Sequence, residues 1–311
     1  MSEIYVPYIL IKILGEGDYV GSREKEFEQY LIENGIGERT IVSYVGDIVM
    51  FNRYLQEQDV KEIEQLKRFY VVSYKKKLQE QGYAIATINK KMNSIQAYNL
   101  FLINKGIMKE QVVFLRKDQI KIANGSQKQV EVLTEEQVDR LLFFVQDQEK
   151  VSQRNELIVH LLLYTGVRVS ELCAIKIKDI DMITHTLDVF GKGGKHREVP
   201  LKAELVEKIR AYMKEDRKKS YQSESEYLLV SQRAPKLVRD SINHLLRLIG
   251  EQLDIKLYPH LFRHTFATRL IQNNVNITTV AKICGHHSTA VTSEFYVEIS
   301  RELKQSAVEL L

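Results

Sequence analysis

The chain has 311 residues, of which 44% are hydrophobic and 28% are charged. This balance is typical of globular domains and excludes a disordered or fibrous chain, and the length is sufficient for two domains. The formal net charge of +4 is compatible with a nucleic-acid partner but does not require one, so the clustering of the basic residues matters more than their total.

Cysteine content and the N-terminal sequence both indicate an intracellular protein. Cys173 and Cys284 are the only cysteines and no CxxC spacing occurs, which argues against a disulfide framework and against a cysteine zinc site. The apolar run over residues 4–14 is interrupted by Pro7 and Lys12, is too short to cross a bilayer and lacks the features of a secretory signal. We therefore expect a cytoplasmic protein without a membrane partner.

Residues 1–20 form a short N-terminal extension, and four helical patterns follow it over residues 21–113. Apolar residues recur every three or four positions in these patterns, and Thr40 has the side chain of an N-cap. The expected helices run from Ser22 to Gly35, from Thr40 to Leu55, from Leu66 to Gly82 and from Thr87 to Gly106. Four short helices joined by short turns predict a small all-α domain.

Two lysine clusters lie on consecutive helices of this predicted domain. Each cluster alone is most simply a solvated helix face. Because the helices are neighbours, one face of the domain could carry both clusters and contact the phosphate backbone of DNA. The candidate DNA contacts are Lys75, Lys76, Lys77, Lys90 and Lys91.

Residues 114–130 are polar, lack an apolar stripe and are expected to form a linker. Thr134 and Gln137 then have the spacing of a capping box, which marks the start of a second domain over residues 131–311. Its first helices include a strongly apolar one that ends near Gly166. Residues 180–201 alternate around a glycine-rich turn, which predicts a β-hairpin. The predicted fold is therefore mainly α, with a four-helix domain followed by a helical domain that contains a small antiparallel hairpin.

Reactive side chains in the second domain stand out, although each has an ordinary structural interpretation. An arginine after a buried helix often pairs with a nearby carboxylate such as Glu171, and a lysine in a turn is usually solvated. His260 and His264 have i, i+4 spacing, but the HExxH pattern is absent and no third ligand follows, so no metal site is expected. The candidate catalytic residues are Arg168, Lys192, His260, Arg263, His286 and Tyr296.

Taken together, these side chains fit the attack of a tyrosine hydroxyl on a phosphodiester. Two guanidiniums can bind the non-bridging oxygens and stabilise the charge of the transition state, while a lysine on a hairpin can protonate the leaving 5′ oxygen. A tyrosine with a pKa of about 10 costs roughly 4 kcal/mol to ionise at pH 7. Neighbouring cations and a neutral histidine lower this cost. The reaction needs neither a metal nor ATP, so no cofactor is expected.

The motifs TGVRVSEL, FGKGGKHREVP, HLFRHTFAT, CGHHS and SEFY occur in this order over most of residues 130–300. Their order and approximate spacing resemble those of the tyrosine site-specific recombinases, also called the phage integrase family. The resemblance implies that the N-terminal helices form a core-binding domain. The family's second histidine corresponds to His286, but His287 follows directly, so this register stays open. The resemblance implies that Arg168 and Arg263 bind the phosphate, that His260 acts as a hydrogen-bond donor or proton acceptor, and that Lys192 is the general acid. It implies that Glu171 orients the site, although a purely structural role for Glu171 fits equally well.

The resemblance further implies a DNA recombinase that works through a 3′-phosphotyrosyl intermediate and a Holliday junction. Four protomers would assemble on two double-stranded DNA sites, with or without accessory proteins. The amphipathic C-terminal tail, with Ile299, Leu303 and Val308, is expected to form a helix that docks on a neighbouring protomer. Residues 1–20 are too few for the arm-binding domain of larger integrases, so the chain is most similar to Xer-type or small mobile-element recombinases.

Three other functions compete with this interpretation. A type IB topoisomerase-like enzyme would use the same tyrosine chemistry to relax DNA, although the helical N-terminal domain favours a recombinase. A catalytically inactive accessory protein would bind DNA without cutting it, although the complete set of reactive side chains argues against this. A metal-dependent nuclease would need clustered carboxylates near the histidines, and the sequence has none there.

Overall fold

The computed structural model describes residues 22–60, 63–121, 130–191, 194 and 196–285. These residues belong to two compact units, Met1–Gln127 and Lys128–Leu311, which we call the N-terminal and the C-terminal unit. The extension over residues 1–20 and the C-terminal tail helix, both expected from the sequence, lie outside the described residues. Within these described ranges, no helix has the length and apolarity needed to cross a bilayer.

The described residues of the N-terminal unit form the four expected helices and a further short one. Their bounds are α1 (Ser22–Glu33), α2 (Glu38–Glu57), α3 (Arg68–Glu80), α4 (Ile85–Asn104) and α5 (Leu115–Asp118), with a 3₁₀ turn at Ile63–Gln65. Two expected helix starts are corrected. Gly37 and Ala84 precede α2 and α4, so Thr40 and Thr87 lie inside the first turns and do not cap them.

Aromatic side chains form the centre of the N-terminal unit. Phe27 on α1 meets Tyr98 on α4 edge to face, with ring centroids 5.1 Å apart, a geometry that aromatic pairs favour. Phe51 on α2 packs against Tyr74 on α3 at 5.1 Å. All four rings are buried, so the apolar stripes read from the sequence meet in one core.

The beginning of the predicted linker belongs to this unit. Arg68 donates two hydrogen bonds to the buried carboxylate of Asp118, at 2.8 and 3.1 Å. The same carboxylate accepts a hydrogen bond from the backbone N–H of Phe114, which closes the turn of α5. The linker prediction therefore rests on residues 122–129 alone, which lie outside the described part of the chain.

The C-terminal unit is helical around a small sheet. Its helices are α6 (Glu135–Gln146), α7 (Gln153–Thr165), α8 (Val169–Leu172), α9 (Ala203–Lys214), α10 (Arg239–Leu253), α11 (Pro259–Gln272) and α12 (Ile277–Cys284). The strands β1 (Ile180–Asp181), β2 (Thr186–Phe190) and β3 (His196–Pro200) form an antiparallel sheet in that order. The predicted hairpin is confirmed, and Val189 on β2 pairs with Arg197 on β3.

Helix α7 is the central element of this unit. The capping box of Thr134 and Gln137 starts α6 as predicted, and α7 is buried along most of its length. It ends at Gly166, whose φ of 60° is the left-handed conformation that glycine adopts without strain. From the sequence, the helix DSINHLLRLIGEQL is expected to start at Asp240 or Ser241 as a cap. This start is corrected, because α10 follows Val238 and both residues lie in its first turn.

Candidate active site

Three segments of the C-terminal unit bring arginines to the end of helix α12. Arg168 lies just before α8, where the chain leaves the glycine turn after α7. Arg197 lies on β3, and Arg263 lies on the inner side of α11. The local sequence explains these positions, because the left-handed Gly166 reverses the chain and the hairpin register sets which face of β3 turns inward.

Arg168 is held by a carboxylate and by the end of α12. Its Nη1 donates to Glu171 Oε1 at 2.9 Å, and its backbone N–H donates to Glu171 Oε2 at 2.8 Å. Its Nη2 donates to the carbonyl oxygen of Gly285 at 2.9 Å. The Arg168 side chain is 37% exposed, so part of its guanidinium stays open to a ligand.

Arg263 is buried and lacks an ion pair within the described ranges. Its Nη1 donates to the carbonyl oxygen of Gly166 and its Nη2 to that of Cys284, both at 2.6 Å. Burial lowers the pKa of Arg263 to about 10, and the positive charges of Arg168 and Arg197 act in the same direction. The guanidinium therefore remains charged at neutral pH. A buried cation without a carboxylate partner is costly, and an anion beside it removes this cost.

His260 lies one helical turn before Arg263 on α11. Partial burial and then the charges of Arg263, Arg239 and Arg168 lower the pKa of His260 below its usual 6.5. The imidazole is therefore neutral at pH 7 and able to accept a proton. Its ring lies 6.1 Å from that of His264, centroid to centroid. The described residues contain no group of three or more His, Cys, Asp or Glu side chains suited to a metal ion.

Arg197 was missed by the motif analysis, although it contacts the same carboxylate as Arg168. Its Nη1 and Nη2 donate to both oxygens of Glu171, at 3.0 and 2.8 Å. The alternation of inward and outward side chains along β3 would have identified Arg197. Arg197 lies two residues before the buried Val199 and so shares its inward face. A charged residue on the inner face of a strand needs a partner, and Glu171 provides it.

The last turn of α12 accepts a hydrogen bond from each of these arginines. Helices end with carbonyl oxygens that lack partners within the helix, and the helix dipole makes this end negative. Arg197 donates to Ile283, Arg263 to Cys284 and Arg168 to Gly285, at 2.7, 2.6 and 2.9 Å. The arginines and the end of this helix therefore form one connected structure.

The remaining candidate residues of this unit lie outside the described part of the chain. Lys192 falls between β2 and β3, and the chain continues past Gly285 into the other three. These residues are Lys192, His286, His287 and Tyr296. The structure thus brings Arg168, His260 and Arg263 close enough for their charges to act on one another, and the catalytic roles of all the candidates stay predictions.

One of the candidate DNA contacts in the N-terminal unit does not fit that role. Lys91 is 4% exposed, and its ammonium donates to Asp47 at 3.0 Å. Ser94 donates to the other oxygen of the same carboxylate at 2.7 Å. A buried, paired lysine joins α2 to α4 and is not available to a phosphate, so we no longer count Lys91 as a DNA contact.

The other four lysines of these clusters are at least partly exposed. Lys76 and Lys77 lie near Glu80 and Glu57, at 3.7 and 2.5 Å, and Lys90 lies 3.0 Å from Asp47. The pairs of Lys76 and Lys77 lie between exposed side chains, and such pairs contribute little and exchange easily, whereas Lys90 is 46% exposed and shares the buried Asp47 with Lys91. These contacts therefore leave Lys76, Lys77 and Lys90 as candidates, together with the half-buried Lys75.

Family models match both units of the chain. The model described as the phage integrase family matches residues 131–302. The model described as the N-terminal SAM-like domain of phage integrase matches residues 25–106. A helical N-terminal domain followed by an integrase catalytic domain defines the class of protein. The chain belongs to the phage integrase family, that is, to the tyrosine site-specific recombinases.

Relatives of similar length support this assignment. The chain is 29% identical over 288 residues to the tyrosine recombinase XerC of Bacillus subtilis (strain 168), covering 90% of this chain and 92% of the relative. It is 28% identical over 285 residues to the tyrosine recombinase XerD of Oceanobacillus iheyensis, covering 89% of this chain and 93% of that protein.

Solved structures show the same fold. The recombinase XerH, bound to a palindromic difH substrate in a post-cleavage complex, matches with a TM-score of 0.72 at 20% identity, covering 91% of this chain and 84% of that chain. The Tn1549 transposon integrase, in complex with a circular intermediate DNA, matches with a TM-score of 0.69 at 19% identity, covering 91% of this chain and 98% of that chain.

Proposed function

We propose that this recombinase cleaves and rejoins DNA through a covalent bond between Tyr296 and a backbone phosphate. The observation that carries the proposal is the buried Arg263, which lacks a carboxylate partner among the described residues and lies with Arg168 around one helix end. Two guanidiniums at one point match the non-bridging oxygens of a phosphodiester. The lowered pKa of His260 adds a neutral proton acceptor beside them.

In the proposed reaction, the Tyr296 oxygen forms a bond to phosphorus and the bond from phosphorus to the 5′ oxygen breaks. His260 accepts the proton of the tyrosine hydroxyl, and Lys192 gives a proton to the leaving 5′ oxygen. The arginines stabilise the charge that builds on the non-bridging oxygens. A 5′ hydroxyl from a partner strand then attacks the 3′-phosphotyrosyl bond, which rejoins the DNA and releases the tyrosine. His286 or His287 supplies a further donor to the phosphate.

The proposed substrate is a pair of double-stranded DNA sites, held by four protomers. Structures of similar proteins contain DNA, including a lambda integrase dimer bound to a core site, which supports DNA as the partner here. We place the reaction in the cytoplasm, with a Holliday junction between the two strand exchanges and a C-terminal tail that docks on a neighbouring protomer. Lys75, Lys76, Lys77 and Lys90 are the proposed backbone contacts of the N-terminal unit.

A trapping assay tests the proposal. A binding site is first selected from random duplex DNA, and a nick beside the cleavage position lets the short 5′-hydroxyl fragment diffuse away. We expect a covalent protein–DNA adduct in EDTA, without ATP, and its loss in Tyr296→Phe. Arg168→Ala and Arg263→Ala should each slow adduct formation by about 10²–10³-fold, as the loss of one transition-state donor does.

The same assay separates the alternatives. Site binding without any adduct would indicate an inactive accessory protein, and an adduct that persists in Tyr296→Phe would indicate another nucleophile. Cleavage stimulated only by added Mg²⁺ would indicate a nuclease. Relaxation of a supercoiled plasmid that lacks a selected site would indicate the topoisomerase-like enzyme, whereas we expect exchange between two sites on one plasmid.

A further inference from the structure

Each of the three guanidinium nitrogens of Arg197 donates a hydrogen bond to a protein group. Two of its nitrogens donate to the oxygens of Glu171, and its Nε donates to the carbonyl oxygen of Ile283 at 2.7 Å. The side chain is only 12% exposed. In this respect Arg197 differs from Arg168, whose guanidinium is more open, so Arg197 is poorly placed to bind a substrate phosphate itself.

The carboxylate of Glu171 is shared between Arg197 and Arg168. Its Oε1 accepts from the Nη1 of both arginines, and its Oε2 accepts from Arg197 Nη2 and from the Arg168 backbone. Burial alone would raise the pKa of Glu171, but the hydrogen bonds from Arg197 and Arg168 outweigh it and hold this pKa below the ordinary value. The carboxylate is therefore charged, and its position depends on both arginines.

Arg197 also packs closely on the backbone at the end of α12. A Cβ built on Gly285 would lie 3.0 Å from Arg197 Nη1 and 3.1 Å from its Cζ. A Cβ at this position would push the Arg197 guanidinium away by a few tenths of an ångström, and glycine also adopts the positive φ of 66° without strain. Through Ile283 and Gly285, the strand β3 is fixed to the turn from which the chain continues to His286.

We propose that Arg197 is a positioning residue of the active site, which orients Arg168 through Glu171 and fixes the end of α12 to the hairpin strand β3. This inference rests on the proposed function. The hairpin carries Lys192 in its turn and α12 precedes His286 in sequence. Arg197 thus joins the segments that carry the phosphate ligand, the general acid and the second histidine, without touching the substrate.

The test compares Arg197→Lys with wild type in single-turnover adduct formation on the nicked site. Lysine keeps the charge but cannot make the planar two-pronged contact with Glu171 and also reach Ile283. We expect adduct formation about 10- to 100-fold slower, the range seen when residues supporting a site are changed, with site affinity within about two-fold of wild type. Arg197→Gln is measured in parallel, and all rates are scaled to site-bound protein, so unfolded material does not count.

A second substrate distinguishes positioning from a general loss of stability. In this substrate, a methylphosphonate replaces the scissile phosphate, so a methyl group stands in place of one non-bridging oxygen. The linkage is then uncharged, and the guanidiniums have less charge to stabilise. If Arg197 acts by orienting Arg168, the defect of Arg197→Lys relative to wild type should shrink on this substrate by about ten-fold, as should that of Arg168→Ala.

Two arginines provide matched controls. Arg210 pairs with Glu207 and donates to the Met182 carbonyl, and Arg210→Lys should cleave at the wild-type rate. Arg217 is buried and holds the carbonyls of Ser223 and Leu228, so Arg217→Lys should lower stability with equal relative rates on both substrates.

The outcomes separate this inference from the proposed function. If wild type forms the adduct and Arg197→Lys cleaves within two-fold of it, the positioning role is wrong and the proposed function stands. An equal defect on both substrates, tracking stability as for Arg217→Lys, would also overturn it. If wild type forms no adduct on a site that it binds, the proposed function fails and the inference fails with it.

Discussion

Partial burial and the positive charges of three nearby arginines together set the protonation state of His260. Partial burial comes first, followed by Arg263, Arg239 and Arg168, and together they lower the pKa of His260 below its ordinary value. A proton acceptor must be neutral to work. As the pH falls through the lowered pKa, the imidazole gains a proton and loses this role, so activity is retained above that pKa and lost below it.

This reasoning predicts how one surface arginine changes the pH profile. Arg239→Gln removes a cation near His260, so the pKa of His260 rises and the acid limb of the adduct-formation rate moves to higher pH. The measurement is the rate between pH 5 and 8 with saturating protein. The control is Arg233→Gln, which changes an exposed arginine in the segment before α10. This change should leave the acid limb of the pH profile at the same pH. An acid limb that does not move in Arg239→Gln would contradict this account of His260.

At the scale of single residues, sequence motifs found some of the site and missed the rest for a physical reason. Arg168, Arg263 and His260 lie in short motifs whose spacing is itself informative. Arg197 lies in a matched motif too, but its role depends on the inward face of β3 and on Glu171, which is 26 positions away in the chain. The alternation along β3 indicates that Arg197 faces inward, but the carboxylate that it meets is set by the tertiary fold.

The turn between α7 and α8 is the element on which the arginine cluster depends. Gly166 has a φ of 60°, and a Cβ built there would lie 2.3 Å from Cδ1 of Phe266. The Gly166 carbonyl also accepts the hydrogen bond from Arg263 Nη1. A side chain at this position would therefore strain the backbone, displace an aromatic ring on α11 and disturb Arg263, the proposed phosphate ligand.

Gly166→Ala is accordingly expected to destabilise the protein and to slow adduct formation. The left-handed conformation costs alanine about 1–2 kcal/mol, and overpacking adds about 1–3 kcal/mol. Gly35→Ala is the matched control, because Gly35 has a φ of 70° and nothing within 4 Å of its built Cβ. Thermal unfolding should show a larger fall in Tm for Gly166→Ala, and only that variant should lose activity per folded molecule. Equal Tm shifts and unchanged cleavage would contradict this view of the turn.

The apolar stripes predicted which segments form helices, but the first residues of three helices could not be predicted. Thr40, Thr87 and Asp240 have side chains that commonly cap helices, and each lies inside the first turn instead. At these starts the preceding residue makes no side-chain cap hydrogen bond. Packing of the helix face against the core therefore outweighs the local preference for a capping side chain.

At the scale of the whole molecule, each unit has a hydrophobic core of its own. We therefore expect a polypeptide of residues 1–127 to be helical and to unfold cooperatively in the absence of the rest of the chain. Phe27 is fully buried among Tyr98 and Phe101, and Phe27→Ala should cost about 3–5 kcal/mol, enough to unfold the fragment. Circular dichroism during heating tests both statements, and a fragment without a cooperative transition would contradict the domain proposal.

The sequence alone did not predict which lysines of the N-terminal unit are exposed. Adjacent residues on a helix point about 100° apart, so the lysines of a run are not equally exposed. Lys90 and Lys91 both contact Asp47, but the Lys90 side chain is 46% exposed whereas that of Lys91 is 5% exposed. The total charge and the clusters suggested a DNA-binding face, and the burial of each side chain then decided which lysines remain available to it.

The central claim is that Tyr296 becomes covalently joined to a DNA phosphate in a site built by Arg168 and Arg263. The most direct measurement is tandem mass spectrometry of the trapped adduct after digestion of protein and DNA. We predict a single peptide that carries a nucleotide phosphate on Tyr296, formed in EDTA and absent from Tyr296→Phe. A nucleotide on any other of the 16 tyrosines, on a different residue type, or on no peptide while the DNA is cleaved would contradict the account.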